Sequence, residues 1–260
     1  MTSITYYTSS IKNEFIKLKR TFAFWLTIIS AVLIPLLFFI VYLVKHNSFG
    51  PAEGANPWDK FMVNQIQNSI PFFVPMFIVL VTSLIIQIEH KSLGIKHIFA
   101  LPVPKWSVYF GKLSIVIISI IATYIFFYIA ILLFGTLLGA IHSDLGFLND
   151  QPNHLKYLEM LFTSFIASLG IVGLQFWLSF RLKNFIVPLG LGMFLVVVGL
   201  VASQAPEAIY FPYAYNILSI SLGEKMPLIA GVSTVTVYSV LCFLITSTLG
   251  YLDIKRLNIK

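Results

Sequence analysis

The sequence predicts an all-α integral membrane protein with six transmembrane helices, and three observations predict it. Apolar residues make up 58% of the 260 residues and charged residues only 10%, against about 45–50% and about 25% in soluble domains. A soluble globule cannot hide that much apolar surface, and disordered chains are poor in aromatic residues, whereas this chain holds 24 Phe. The apolar residues fall into six runs, at 22–44, 70–88, 108–138, 158–180, 185–202 and 227–250. A helix needs roughly 20 such residues to cross a bilayer core about 30 Å thick. Between the runs lie short basic groups that set orientation.

Taken in order, the first element is residues 9–21, S-S-I-K-N-E-F-I-K-L-K-R-T. Ile11, Phe15 and Leu18 recur at helical spacing as one apolar stripe, with Lys12, Glu14 and Lys19 away from it. This predicts an amphipathic helix lying in the membrane interface ahead of the first run. The opening M-T-S-I-T-Y-Y-T-S-S has none of the features of a signal peptide.

The second run opens with Pro71 and Pro75. The first is tolerated at a helix start, and the second is expected to distort the helix. The third run holds Gly135 and Gly139, a G-x-x-x-G that lets helices approach closely, within one chain or between copies. Residues 203–226 are apolar and aromatic but broken by Pro206 and Pro212. They predict a broken segment at the outer interface, lying on it or dipping into it, before the last helix. The chain reads as one transmembrane domain, 1–260.

Lys and Arg fix the orientation. The N-terminal segment carries four (Lys12, Lys17, Lys19, Arg20), the loop after the second run four (Lys91, Lys96, Lys105, Lys112), the loop after the fourth two (Arg181, Lys183) and the C-terminus three (Lys255, Arg256, Lys260). The opposite side carries Lys45, Lys60, Lys156 and Lys225. This asymmetry places both termini in the cytoplasm. Cations dispersed in this way are topology signals and do not form the clustered face that binds nucleic acid.

The runs contain almost no ionisable side chain; Glu159, at the outer end of the fourth, is the exception. Carriers driven by protons or ions need such groups inside the membrane. No G-x-S-x-G, H-E-x-x-H or phosphate-binding loop is present. Glu89, His90 and His97 fall short of the three or four convergent ligands of a metal site, and His142 and His154 read as loop residues. The single Cys242 forms no internal disulfide. The chain therefore reads as a non-enzyme that binds no cofactor of its own, and any nucleotide belongs on another chain.

The loop 87–112 is the most informative stretch. Residues 89–100 can form a short helix with Leu93, Lys96 and Ala100 on one face and Ile95, Ile98 and Phe99 on another. Leu101-Pro102-Val103-Pro104 ends it, because a residue before proline leaves the helical region, and Lys105-Trp106 re-enters the interface. An acid ending the second run (Glu89), Gly94 in the loop helix, Leu101-Pro102, Lys105 and Gly111-Lys112 together resemble the permease subunits of ABC-2-type exporters. The opening Glu14-Phe15 to Lys17, Lys19 and Arg20, and the ending Tyr251-Leu-Asp-Ile-Lys-Arg256, resemble that family too. The small size is similar to permeases of bacteriocin-immunity and antibiotic-resistance exporters.

That resemblance implies a half-transporter in a bacterial cell membrane. A second permease chain, the same or related, would complete the pathway. Two cytoplasmic ABC ATPase subunits, carrying ATP and Mg, would drive it through the coupling loop 89–105. The coupling residues would be Glu89, Lys91, Gly94, Lys96, Ile98, Phe99, Leu101, Pro102 and Lys105. Glu14, Phe15, Lys17, Lys19 and Arg20 would form the interfacial helix. The expected substrate is hydrophobic or amphipathic: a peptide, lipid or drug. The alternatives are a non-transporting anchor or sensor that docks a protein by the same loop, and a secondary carrier.

Overall fold

The structure, a computed structural model, describes residues 3–46, 56–91, 104–182, 184–221, 228–229 and 232–256. These form α1 (Ser3–Lys19), α2 (Phe22–Val44), α3 (Pro57–Ser69), α4 (Phe73–Lys91), α5 (Lys105–Ile141), α6 (His154–Arg181), α7 (Ile186–Ala202), α8 (Tyr215–Ser221) and α9 (Thr234–Arg256). The only strands among the described residues are a two-residue pair, β1 (Leu228–Ile229) against β2 (Val232–Ser233), antiparallel.

Side-chain contacts fix the helix directions. Thr123 Oγ1 reaches the Thr27 carbonyl and Phe39 packs on Phe134, so α2 and α5 run parallel. Tyr109 packs on Phe176 near the end of α6, while Tyr124 bonds Ser164 further back, so α6 runs against α5. Ser83 meets Ser179, and Arg181 meets Asp253, so α4, α6 and α9 finish at one end. The same end holds α1 and the starts of α2, α5 and α7. The long helices thus alternate, leaving this end and returning to it.

Four helices are long and apolar enough to cross a membrane: Phe22–Val44, Lys105–Ile141, His154–Arg181 and Thr234–Arg256. A fifth span arises if Pro57–Ser69 and Phe73–Ile88, bent 49° from one another, count as one. The remaining apolar helix, α7, has 17 residues and, at 1.5 Å per residue, reaches about 25 Å. By length and composition the described residues therefore hold four or five spans, where the hydropathy runs predict six.

The break at the second run differs from the expectation. It falls at residues 70–72, around Pro71, and Pro75 sits in the first turn of α4. There the missing N–H has no intrahelical acceptor to lose. Ahead of the break lies α3, in a stretch read from sequence as loop. Its start carries ordinary signals: the Asn56 side chain accepts from the Trp58 N–H at 2.9 Å, and Pro57 occupies the first turn.

α3 is clamped to the opposite end of the bundle from α1. Trp58 Nε1 donates to the Phe147 and Asp150 carbonyls at 3.0 and 3.1 Å, and Asn56 Nδ2 to the Gln151 carbonyl at 2.8 Å. The Tyr157 hydroxyl donates to Asp59. The Trp58 ring lies over Gly135, where any Cβ would collide with it, and Gly139 sits under Phe147 and Leu148. The G-x-x-x-G is therefore a seat for the chain's own α3 and the following loop.

The broken segment forms two 3₁₀ turns, Pro206–Tyr210 and Pro212–Ala214, followed by α8. It dips into the bundle: Tyr213, Ala214, Tyr215, Asn216 and Leu218 are buried. The main core lies on the inward faces of α2 to α7, with a smaller cluster under this segment.

Candidate functional site

The end of the bundle that gathers α1 and the start of α5 also gathers most of the motif residues. α1 is bound along the first turns of α5. Tyr7 pairs with Ser114 through their hydroxyls at 2.6 Å and stacks on Trp106 with ring centroids 6.0 Å apart. Gly111 makes the approach possible: a Cβ there would stand 2.5 Å from Ser10 Oγ and 3.0 Å from Ser10 Cβ.

Between the two helices lies an ion pair. The Glu14 carboxylate accepts from Lys112 Nζ through one oxygen and from Lys17 Nζ, at 2.8 Å, through the other. The side chains of Glu14 and Lys112 are 7% and 1% exposed, and that of Lys17 is 39% exposed. The helical stripe placed Glu14 on a polar face away from the apolar residues; instead it is buried, because α1 packs along α5. A buried pair of this kind adds little net stability, but removing one partner is costly, because it strands the other charge in a low dielectric. Its geometric consequence is firm: α1 is locked to α5 at the eighth residue of that helix.

The rest of α1 is presented outward. Phe15, Lys19 and Arg20 are exposed, with Lys19 Nζ 4.9 Å above the Phe15 ring. Leu18 is buried, and Ile11 packs against the core.

Of the loop residues assigned by resemblance, Glu89 and Lys91 lie in the last turn of α4 and Lys105 in the first residue of α5. Gly94, Lys96, Ile98, Phe99, Leu101 and Pro102 lie outside the described residues. The chain between therefore leaves α4 and rejoins α5 one turn before Tyr109 and two before the Gly111-Lys112 seat of α1.

A second group at the same end was only partly visible in the sequence. The Asp253 carboxylate accepts from Arg181 Nη1 through both oxygens, one at 2.5 Å, and from Trp177 Nε1 at 3.4 Å. Tyr109 lies beside it, 1% exposed, packed against Phe176, Phe180 and Tyr251 at centroid distances of 5.2, 5.6 and 5.9 Å. The closing Tyr251 and Asp253 thus tie α9 to α6 and α5, where the sequence showed only a motif.

Further in, the bundle is held by neutral polar groups that sequence reasoning missed. Gln175, fully buried, donates from Nε2 to Ser83 Oγ at 3.1 Å and to the Pro188 carbonyl at 2.9 Å, and its Oε1 accepts from the Tyr213 hydroxyl at 3.0 Å. One residue thereby joins α4, α6, α7 and the broken segment. Ser164, Tyr124 and Asn216 make a second such node. A buried Gln in an apolar run was the only available signal. These bonds satisfy groups that lipid cannot. They do not form a nucleophile–base pair, and no group of three or more His, Cys, Asp or Glu among the described residues could hold a metal.

No curated protein and no solved structure matches the chain. The family model described as ABC-2 family transporter protein matches residues 10–199. That span opens inside α1, four residues before Glu14, contains both partners of the buried ion pair and the loop between α4 and α5, and closes in the last turn of α7. It covers well over half of the sequence, and the chain belongs to the ABC-2 family of membrane transporter proteins.

Proposed function

We propose that the chain is the membrane-embedded permease subunit of an ATP-driven exporter and works with a separate cytoplasmic ABC ATPase. The observation that carries this reading is the α1–α5 lock beside the 92–103 loop, within a family whose permeases usually pair with such an ATPase. The Glu14–Lys112 pair and the Gly111–Ser10 contact bind α1 rigidly to the helix into which the loop runs. A push on residues 89–105 is then delivered to α1 and α5 as one body, not lost in a loose connection.

In this reading the basic end faces the cytoplasm. The described cations Lys12, Lys17, Lys19, Arg20, Lys91, Lys105, Lys112, Arg181, Lys255 and Arg256 all lie there, against Lys45, Lys60 and Lys156 at the other end. The reading keeps the six predicted crossings, with α7 crossing where the bilayer is locally thinned. The host membrane is a bacterial cell membrane. A second permease chain completes the pathway. ATP and Mg bind the partner ATPase, whose closure shifts the permease between inward- and outward-facing states through differential binding. The interior polar nodes carry no charge, in keeping with energy supplied from outside the membrane domain, and the cargo is hydrophobic or amphipathic.

The test is purification of the tagged chain from its native host in mild detergent, beside a Gly94→Pro, Leu101→Asp variant. Recovery of a phosphate-loop ATPase with the wild type and its loss with a variant that still inserts supports the reading. Isolation of the wild type with no ATPase under gentle conditions contradicts it.

A further inference from the structure

Between α2, α4 and α5, directly under the break after α3, lies a cavity of about 230 Å³. Its walls are apolar, with Leu26 and Ile34 of α2, Phe77 of α4 and Phe127 of α5 among them, and no Asp, Glu, His, Lys or Arg lines it. Ile29, Leu33 and Phe73, 50%, 41% and 42% exposed, stand at its rim, so it opens sideways between α2 and α4. In a membrane that opening faces lipid, not water.

Four hydroxyl side chains line this cavity. Three have partners. Ser30 Oγ donates to the Thr27 carbonyl at 3.3 Å, Thr123 Oγ1 to the Ser119 carbonyl at 3.0 Å, and Tyr124 pairs with Ser164 at 2.8 Å. The fourth, Ser69 Oγ, in a residue 3% exposed, has none. One turn earlier on the same face of α3, Gln65 is fully buried, and both its Oε1 and its Nε2 lack partners. Buried polar groups are nearly always paired, and an unpaired amide in apolar surroundings is costly. Ser69 Oγ is thus an unpaired polar atom in the wall of an apolar cavity open to lipid, while Gln65 stands one turn beyond it on α3, outside that wall.

We infer that this cavity is the lateral entry site for the transported molecule, and that it takes an uncharged amphiphile with one apolar chain and a hydroxyl or carboxamide head. The chain lies against the walls from α2, α4 and α5. The head pairs with Ser69, whose hydroxyl both donates and accepts. A charged head is excluded because no countercharge lines the cavity and desolvating a bare ion there is prohibitive. That the bound molecule is cargo rests on the permease reading; that the cavity binds it does not.

The test uses the full chain in lipid nanodiscs with no ATPase and no ATP, and a dodecanol carrying a photoreactive diazirine on its chain as probe. Saturable labelling of peptides from Leu26–Ile34 and Phe73–Leu80 is expected. Dodecanol and dodecanamide should compete well, and dodecane and dodecanoate poorly. Ser69→Ala should weaken competition by dodecanol and by dodecanamide roughly fivefold, leaving dodecane unchanged. Ile34→Trp should fill the cavity and abolish the saturable fraction. Non-saturable labelling spread over all the lipid-facing helices overturns the inference. So does saturable labelling on which Ser69→Ala has no effect, which leaves Ser69 without a ligand role even where Ile34→Trp misfolds. If an ATPase is recovered in the purification above while labelling is non-saturable, the cavity proposal alone fails. Saturable labelling with no ATPase partner retains the binding site and removes the permease reading.

Discussion

Glu14 and Lys112 stand 98 positions apart in sequence and share one buried contact. Lys112 is the more deeply enclosed, so Glu14→Leu, which takes the carboxylate from a buried ammonium, is the more damaging single change. It should cost about 3–5 kcal/mol, and the Glu14→Leu, Lys112→Met pair should recover most of that, because matched apolar replacements leave no charge stranded. Thermal unfolding of all four proteins in one detergent checks this; single and double variants of equal stability would contradict it. Lys17, whose side chain is 39% exposed, contributes far less, and Lys17→Ala should stay within about 1 kcal/mol. At Gly111 the expected defect is steric. Gly111→Leu should displace α1 and cost about 1–3 kcal/mol, and protease sensitivity of the segment before Phe22 should rise with it.

Among the elements, α3 shows how a helix can be present in a sequence and still be read as loop. Its composition is polar on average, because its buried face meets a loop and other helices while its other face is exposed. An apolar-run search passes over it. Its N-terminal signals, Asn56 and Pro57, were nonetheless in place. Asn56→Ala should remove the cap and the bond to the Gln151 carbonyl. The expected loss is about 1 kcal/mol for the cap, read as faster hydrogen exchange at the amides of 58–61 and not in α5. The opposite case is α2, which runs from Phe22 to Val44 where the apolar residues begin and end; continuous hydrophobicity marks a membrane helix more sharply than amphipathic periodicity marks a surface one. The Glu14 error has a physical cause as well. A hydrophobic stripe gives one direction of burial, and the contact of α1 with α5 adds another that the stripe does not mark. The Gln175 node, joining four segments, left only the type of a single residue in the sequence.

For the molecule as a whole, orientation and partnership are the questions that matter. If the basic end faces the cytoplasm, a membrane-impermeant maleimide on intact cells should label a cysteine placed at Lys60 and spare cysteines at Lys12 and Lys255 until the membrane is opened, all in a Cys242→Ser background; the reverse pattern would invert the topology. The central claim is that a separate ATPase grips the loop between α4 and α5, whose motion the Glu14–Lys112 lock then carries into the bundle. Replacing Phe99 with a photo-crosslinking phenylalanine in living cells tests it most directly. The account predicts a single major adduct to a phosphate-loop ATPase, with a yield that changes when nucleotide is depleted. An adduct confined to lipid, or to a protein with no nucleotide-binding loop, would contradict it.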